Sequence, residues 1–388
     1  MPAATPIADR ALDDLATLVG LPSWSHDLDG LAACAPAVAA LFERLGAVTT
    51  FVDLPAAPQV RDDGTVVDQA VGRAIVATVR PDADRRALLV GHYDTVFPPD
   101  LGFGLTRSDD VWHGPGVVDA KGGLVVAALA LEAAEAAGVD VGWDVVVVPD
   151  EEIGSPGSAA LLAEMAGRAH IGFGYEPAMP DGSLAGARPG SANYTHVVRG
   201  VSAHAGRELD QGRNAILAAA ALAQAIDRLN DHPDVLANPG RISGGSGTNI
   251  VPDLAILRSN VRPRTDEAAA FVAARLRDAI AEIAVDGIHI TEHGGMSRPP
   301  KELTDRYRRM LEGVTQAATD LGLSIGWQDT GGVCDGNNLA GAGLVNVDNL
   351  GPVGGDLHRT TEYLDVASVA SRARLSAELL VRFDRGRL

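Results

Sequence analysis

The side chains in this 388-residue chain that are equipped for chemistry fall into five short segments. They are His92 and Asp94 in GHYDT, Asp119 in HGPGVVDAKGG, Glu151 and Glu152 in VVVVPDEE, Glu176 in GYEP, and His358 in GPVGGDLHRTTEY. Imidazoles mixed with carboxylates suit a hard-to-borderline divalent cation such as zinc. Cys34 and Cys334 are the only cysteines, too few for a thiolate site or a disulfide framework. Taken singly, each acid has an ordinary explanation. A His-x-Asp pair commonly satisfies itself, adjacent glutamates commonly face solvent, and Asp119 before a helix reads first as an N-cap. The elements that carry these residues change that weighting.

Residues 85–95, 143–152 and 169–177 are apolar runs bounded by turn formers, as buried strands are. Between the first two, residues 121–138 are rich in Ala and Leu and end at Gly138, which predicts a helix. Strand–helix–strand order with continuously apolar strands predicts a mostly parallel sheet covered by helices. Ligands of such sheets bind outside the carboxyl ends of the strands. The first run ends at His92 and Asp94, the second at Glu151 and Glu152, the third at Glu176, so one sheet edge collects them.

Residues 182–295 change character. SANYTHVVRGVSAHAG, LAILRSNVRP and GIHITEHGG read as strands, and residues 211–230 and 265–284 as helices. The expected architecture is therefore α/β, with a discontinuous domain over 1–181 and 296–388 and an inserted α+β domain over 182–295. A helix over 366–384 closes the chain. Cys34 falls on an amphipathic pattern and reads as core; Arg258 and Arg264 read as an ordinary solvated face.

A composition of 46% hydrophobic and 21% charged residues suits a globular protein. The net charge of −19 argues against nucleic acid as a partner, because phosphate binding needs a basic field. No apolar run approaches the roughly 18 residues of a membrane span, and the first residues lack a signal-peptide pattern. The expected location is cytoplasmic, with no membrane partner.

The segments GHYDTVFP, GPGVVDAKGG, PDEEIGS, YEP, GVSAHAG, TNIVP, NVR, GGVCDGNN and LHRTTEYL run in the order seen in the M20 family of dinuclear zinc metallopeptidases. The chain resembles that family over nearly its whole length, and in particular its carboxypeptidase G2-like members. The group also holds acetylornithine deacetylases and succinyl-diaminopimelate desuccinylases.

The resemblance implies two zinc ions, with cobalt or manganese as substitutes. His92, Asp119 and Glu176 would hold one, and Asp119, Glu152 and His358 the other, with Asp119 bridging. Asp94 would orient His92, and Glu151 would act as general base toward a water shared by the metals. The resemblance further implies a cis peptide between Asp119 and Ala120, and a structural part for Lys121. His204 would stabilise the reaction's oxyanion from a partner subunit, which makes the inserted domain a lid and homodimer interface. Arg262, Asn249 and Arg298 are the implied substrate-binding residues. The implied activity is amide hydrolysis of small N-acyl or peptidyl amino acids with a free carboxylate, in the manner of glutamate carboxypeptidases. An N-acyl amino acid deacylase of the acetylornithine or succinyl-diaminopimelate type is the alternative. A non-catalytic binding protein on the same scaffold and a dinuclear phosphoesterase are remoter ones.

Overall fold

The computed structural model describes residues 5–388, with side chains from Asp9 onward. Ten strands build its two principal sheets: β1 (Val48–Val52), β2 (Ala74–Val79), β3 (Arg86–His92), β4 (Gly142–Val148), β5 (Ile171–Gly174), β6 (Ser191–Arg199), β7 (Val235–Gly244), β8 (Leu254–Pro263), β9 (His289–Arg298) and β10 (Asn346–Val347). The helices are α1 (Thr5–Val19), α2 (Leu28–Glu43), α3 (Lys121–Ala136), α4 (Ala159–Arg168), α5 (Ala215–Asp227), α6 (Asp266–Ile283), α7 (Asp305–Asp320), α8 (Asp335–Gly341) and α9 (Val366–Asp384).

The larger sheet has the order β1-β2-β4-β3-β5-β10. Pairings from β4 to β10 are parallel, and β2 alone runs against its neighbours. Every residue of β3 and β4 is buried, because helices cover both faces. The valine run shows this alternation directly. Val145 and Val147 join the core formed with α1, α2, α3, α7 and α9, whereas Val146 and Val148 join the core under α4 and α8.

The smaller sheet, β7-β8-β6-β9, is wholly antiparallel. Its Tyr194, Leu257 and Val261 pack against Leu222 of α5 and Val272 and Leu276 of α6. Asn214 and Thr265 cap these helices through their side chains. The expected strands and helices of this region are present, but β7 is additional. Its sequence VLANPGRISG carries Pro239 and Gly240, which argue against a strand. An edge position resolves the conflict, since β7 pairs only with β8 and its register breaks between Pro239 and Arg241.

A hairpin from the larger body (Ala57–Val60 and Val66–Gln69) reaches the open face of the smaller sheet. Asp62 at its turn pairs with Arg241 and, at 2.7 Å, with Arg258, whose Nη2 donates to the Val60 carbonyl at 2.8 Å. Arg258 is thus half-buried and paired, not part of a solvated face; Arg264 is exposed as expected. Cys34 is fully buried. No helix among the described residues is long and apolar enough to cross a membrane.

Candidate metal centre and active site

The carboxyl edge of the larger sheet gathers the acids and imidazoles. β3 terminates at His92, which is buried with Asp94 two residues on. β4 gives way at Pro149 to a short 3-10 turn over Glu151–Ile153, so the strict alternation of a strand no longer governs the acids that follow. Glu176 lies two residues beyond β5. Asp119 precedes α3 across a cis peptide to Ala120, and His358 stands in a loop with φ of +63°.

Asp119 sits between the two imidazoles. Its Oδ1 lies 3.2 Å from His92 Nε2 and its Oδ2 lies 3.5 Å from His358 Nε2. Each imidazole nitrogen has a second carboxylate beside it: Glu176 at 3.8 Å from His92, and Glu152 at 3.1 Å from His358. His92, Asp119 and Glu152 also offer donor atoms that all lie within 4.8 Å of one another. Two ligands of one tetrahedral zinc, each at about 2.05 Å, stand roughly 3.3 Å apart. The donors of His92, Asp119 and Glu152 are thus spaced to hold a divalent ion, and Asp119 lies between the two imidazoles.

The electrostatics point the same way. Burial pushes Glu152 up to about 7, helped by the Asp119 charge, and burial holds Glu151 well above the usual carboxylate range. Burial alone would lower His92, but Asp119, Asp94 and Glu176 carry it well above its ordinary value. Asp119 and Glu152 raise His358 to about 10. A pocket that crowds carboxylates until its imidazoles gather protons is one that calls for positive charge.

Surrounding groups hold this edge in shape. The Asp94 carboxylate accepts from Ser25 Oγ at 2.7 Å and from the main-chain N–H groups of Glu151 and Glu152, both at 3.2 Å; it also lies 3.3 Å from His92 Nδ1. Asp150 accepts from the N–H groups of Gly157 and Ser158, where α4 begins. Glu362 is buried and accepts from the N–H groups of Gly116, Val118 and Asp119; burial pushes it up to about 8. Lys121 is buried and donates to the Leu21 carbonyl at 2.8 Å. Gly123 lets α3 approach the strand end, since a Cβ there would meet the Tyr175 carbonyl oxygen at 2.0 Å.

A cavity of about 370 Å³ opens onto these residues. Asp119, Glu151, Glu152, Glu176 and His358 line it beside Met179, Val333 and Leu357. Arg188 and Cys334 also reach it. Arg188 is clamped on Asp348, whose Oδ2 Lys301 also contacts at 2.9 Å. Cys334 is committed to the fold, its Sγ accepting from the Gly336 N–H at the start of α8.

The remaining expected residues are placed differently. Arg262 stands at the rim, its Nη1 donating to the Gly331 carbonyl at 2.7 Å between the cavity-lining Thr330 and Gly332. His204 and Asn249 are exposed on adjoining loops of the smaller-sheet region and lie outside the cavity. Arg298 is not on the cavity wall. It is buried, with Nη2 donating to Glu151 Oε1 at 2.6 Å. Ser25, Ser155, Asp335 and Glu362 carried no expectation, because hydrogen-bond partners far apart in sequence leave no local pattern; the last three fall inside quoted motifs, but no role was attached to them.

The model of peptidase family M20/M25/M40 matches residues 88–382. The chain is 26% identical to carboxypeptidase G2 of Pseudomonas sp. (strain RS-16) over 99% of this chain and 92% of that protein. It is 27% identical to a succinyl-diaminopimelate desuccinylase of Cereibacter sphaeroides over 75% of this chain and 81% of that one. Its fold superimposes on aminopeptidase PepT from Bacillus cereus with a TM-score of 0.73 and 23% identity, covering 96% of this chain and 98% of the other. Given this match and the shared-carboxylate geometry, the chain belongs to peptidase family M20/M25/M40 and is an amidohydrolase of its metallopeptidase type.

Proposed function

We propose that the protein cleaves the amide bond between an acyl or peptidyl group and an amino acid bearing a free carboxylate, as a glutamate carboxypeptidase does. One observation carries the reading: Asp119 turns one oxygen to each of two imidazoles, beside a cavity that Glu151 also lines. The residues fit two divalent ions, zinc or in its place cobalt or manganese. His92, Asp119 and Glu176 would hold one, and Asp119, Glu152 and His358 the other. Bound there, such ions polarise a carbonyl and acidify water.

The chain's own groups supply the proton traffic. Glu151 takes a proton from the attacking water as the C–O bond forms, then passes it to the departing nitrogen as the C–N bond breaks. Asp94 holds both Glu151 and Glu152 by their main-chain N–H groups and keeps His92 oriented. Arg262 at the rim suits a substrate carboxylate, with Asn249 as a polar companion. His204 would donate to the developing oxyanion from a second copy, and residues 182–295 would form both lid and dimer contact. Exposed Leu217 on α5, and Leu236 and Ile242 on β7, support such a contact.

Turnover of N-acetyl-, N-succinyl-, N-aroyl- and peptidyl-amino acids by the zinc-loaded protein tests the substrate class. The name of the desuccinylase relative favours a second reading, N-acyl amino acid deacylation. Release of acidic amino acids from N-aroyl or peptidyl substrates supports the first reading, and turnover confined to N-succinyl or N-acetyl substrates supports the second. Glu151→Ala should abolish turnover while zinc binding remains; turnover at the wild-type rate would remove Glu151 from the mechanism.

A further inference from the structure

We infer that Arg298 is a positioning residue that holds Glu151 in place, not a ligand of the substrate. The inference rests on the reading of Glu151 as the base. Arg298 is the last residue of β9 and pairs with Ser191, the first residue of β6. The two chain crossings between the smaller sheet and the larger body therefore lie side by side, and the arginine sits at that junction.

Its Nη2 donates to Glu151 Oε1 at 2.6 Å, to the Glu151 carbonyl at 2.9 Å and to Ser155 Oγ at 2.9 Å; it lies 3.5 Å from Asp335 Oδ1. Ser155 Oγ donates onward to Asp335, which also accepts from Asn338 Nδ2 at 3.0 Å. One guanidinium nitrogen thus grips Glu151 at both its carboxylate and its main chain. Asp335 and Asn338 belong to α8, and Ser155 follows the turn after β4. Arg298 consequently ties the end of β9 and the start of α8 to the turn that carries the acid.

Glu151 reaches the cavity, whereas Arg298 does not line it and is 5% exposed. A substrate carboxylate would have to displace Glu151 to reach Nη2. A charge-assisted bond at 2.6 Å orients the acid, and a misplacement of about 1 Å in a reacting group can cost roughly 10²-fold in rate. Because the arginine ends a strand of the smaller sheet, displacement of that sheet would move the grip on Glu151.

The test measures kcat, KM and zinc content for Arg298→Ala, Arg298→Lys, Ser155→Ala and Glu151→Ala on one N-acyl amino acid that the wild type cleaves. Arg298→Ala should lower kcat by roughly 10²-fold with KM and zinc content near wild type. Arg298→Lys should recover part of kcat, because all four contacts fall on a single nitrogen that an ammonium can imitate. Ser155→Ala should lower kcat more mildly, again without raising KM. A raised KM with kcat unchanged in the arginine variants would mark Arg298 as a substrate ligand and overturn the inference, and so would unchanged kinetics. If Arg298→Ala does not fold, Arg298→Lys and Ser155→Ala decide on the same criteria. The control separates the two claims. Turnover by Glu151→Ala refutes the base itself, whereas an inactive Glu151→Ala beside unaltered arginine variants refutes only the positioning.

Discussion

Replacing Asp94 by Asn probes how one buried carboxylate supports both halves of the proposed metal centre. Asp94 has no exposed surface. Its Oδ1 faces the Glu151 N–H and its Oδ2 the Glu152 N–H, each at 3.2 Å, and Oδ2 also accepts from Ser25 at 2.7 Å. An asparagine of the same size offers one acceptor oxygen, so one of those N–H groups would face an NH₂ instead. A buried donor left unpaired costs about 1–3 kcal/mol. The His92 ring is partly insured, because its Nδ1 also lies 3.1 Å from the Asp94 main-chain oxygen, which survives the substitution. The damage should therefore fall on the turn that presents Glu152. Loss of such an outer partner lowers metal affinity by about 10–100-fold, equivalent to about 1.4–2.8 kcal/mol, in line with the cost of the orphaned N–H. Zinc affinity is measured by competition against a chromophoric chelator at neutral pH, and stability of the metal-free protein by urea denaturation. Zinc affinity within about twofold of wild type, well below the expected loss, would refute the claim that Asp94 holds the ligand turn.

Two further outcomes are expected. Asp348→Asn leaves Arg188 and Lys301 as buried cations without their shared partner and should cost about 3–5 kcal/mol at neutral pH. Burial opposes ionisation of Asp348, but Arg188 and Lys301 outweigh it and hold the carboxyl down at about 2. A depressed carboxylate contributes its stability above the unfolded value of about 3.9 and loses it as pH falls through the folded one. The difference between wild type and variant, read by denaturation across pH, should be widest above about pH 4 and shrink toward about pH 2. At the proposed subunit contact, Leu236→Glu with Ile242→Glu on the edge strand β7 should yield a monomer in sedimentation and lower kcat, if His204 acts across the interface. A wild-type protein that already sediments as a monomer, or a monomeric variant with full kcat, would remove that part of the reading.

The chain's local patterns carried most of the architecture. The continuous apolar character of β3 and β4 predicted strands covered on both faces. The strand ends at His92, at Glu151 and Glu152, and at Glu176 announced one acidic sheet edge, since a parallel sheet delivers its carboxyl ends to one side; Asp119 and His358, in loops, joined the set through the family resemblance. The α9 helix was legible to its end residues, Val366 and Asp384. By contrast, β7 was hidden, because Pro239 and Gly240 are tolerated only at an edge, and edges exist only once strands have paired.

Tertiary structure decided which partner each acid of VVVVPDEE faces. Asp150 turns to the start of α4, Glu151 to Arg298 and Glu152 to His358. Their types are in the sequence, but their directions depend on partners up to two hundred residues away. The same holds for Arg298, which the resemblance placed among substrate ligands and which the fold buries against Glu151. Composition and period report how a segment meets water, whereas a hydrogen-bond partner brought from a distant segment becomes known only when the chain has closed around it.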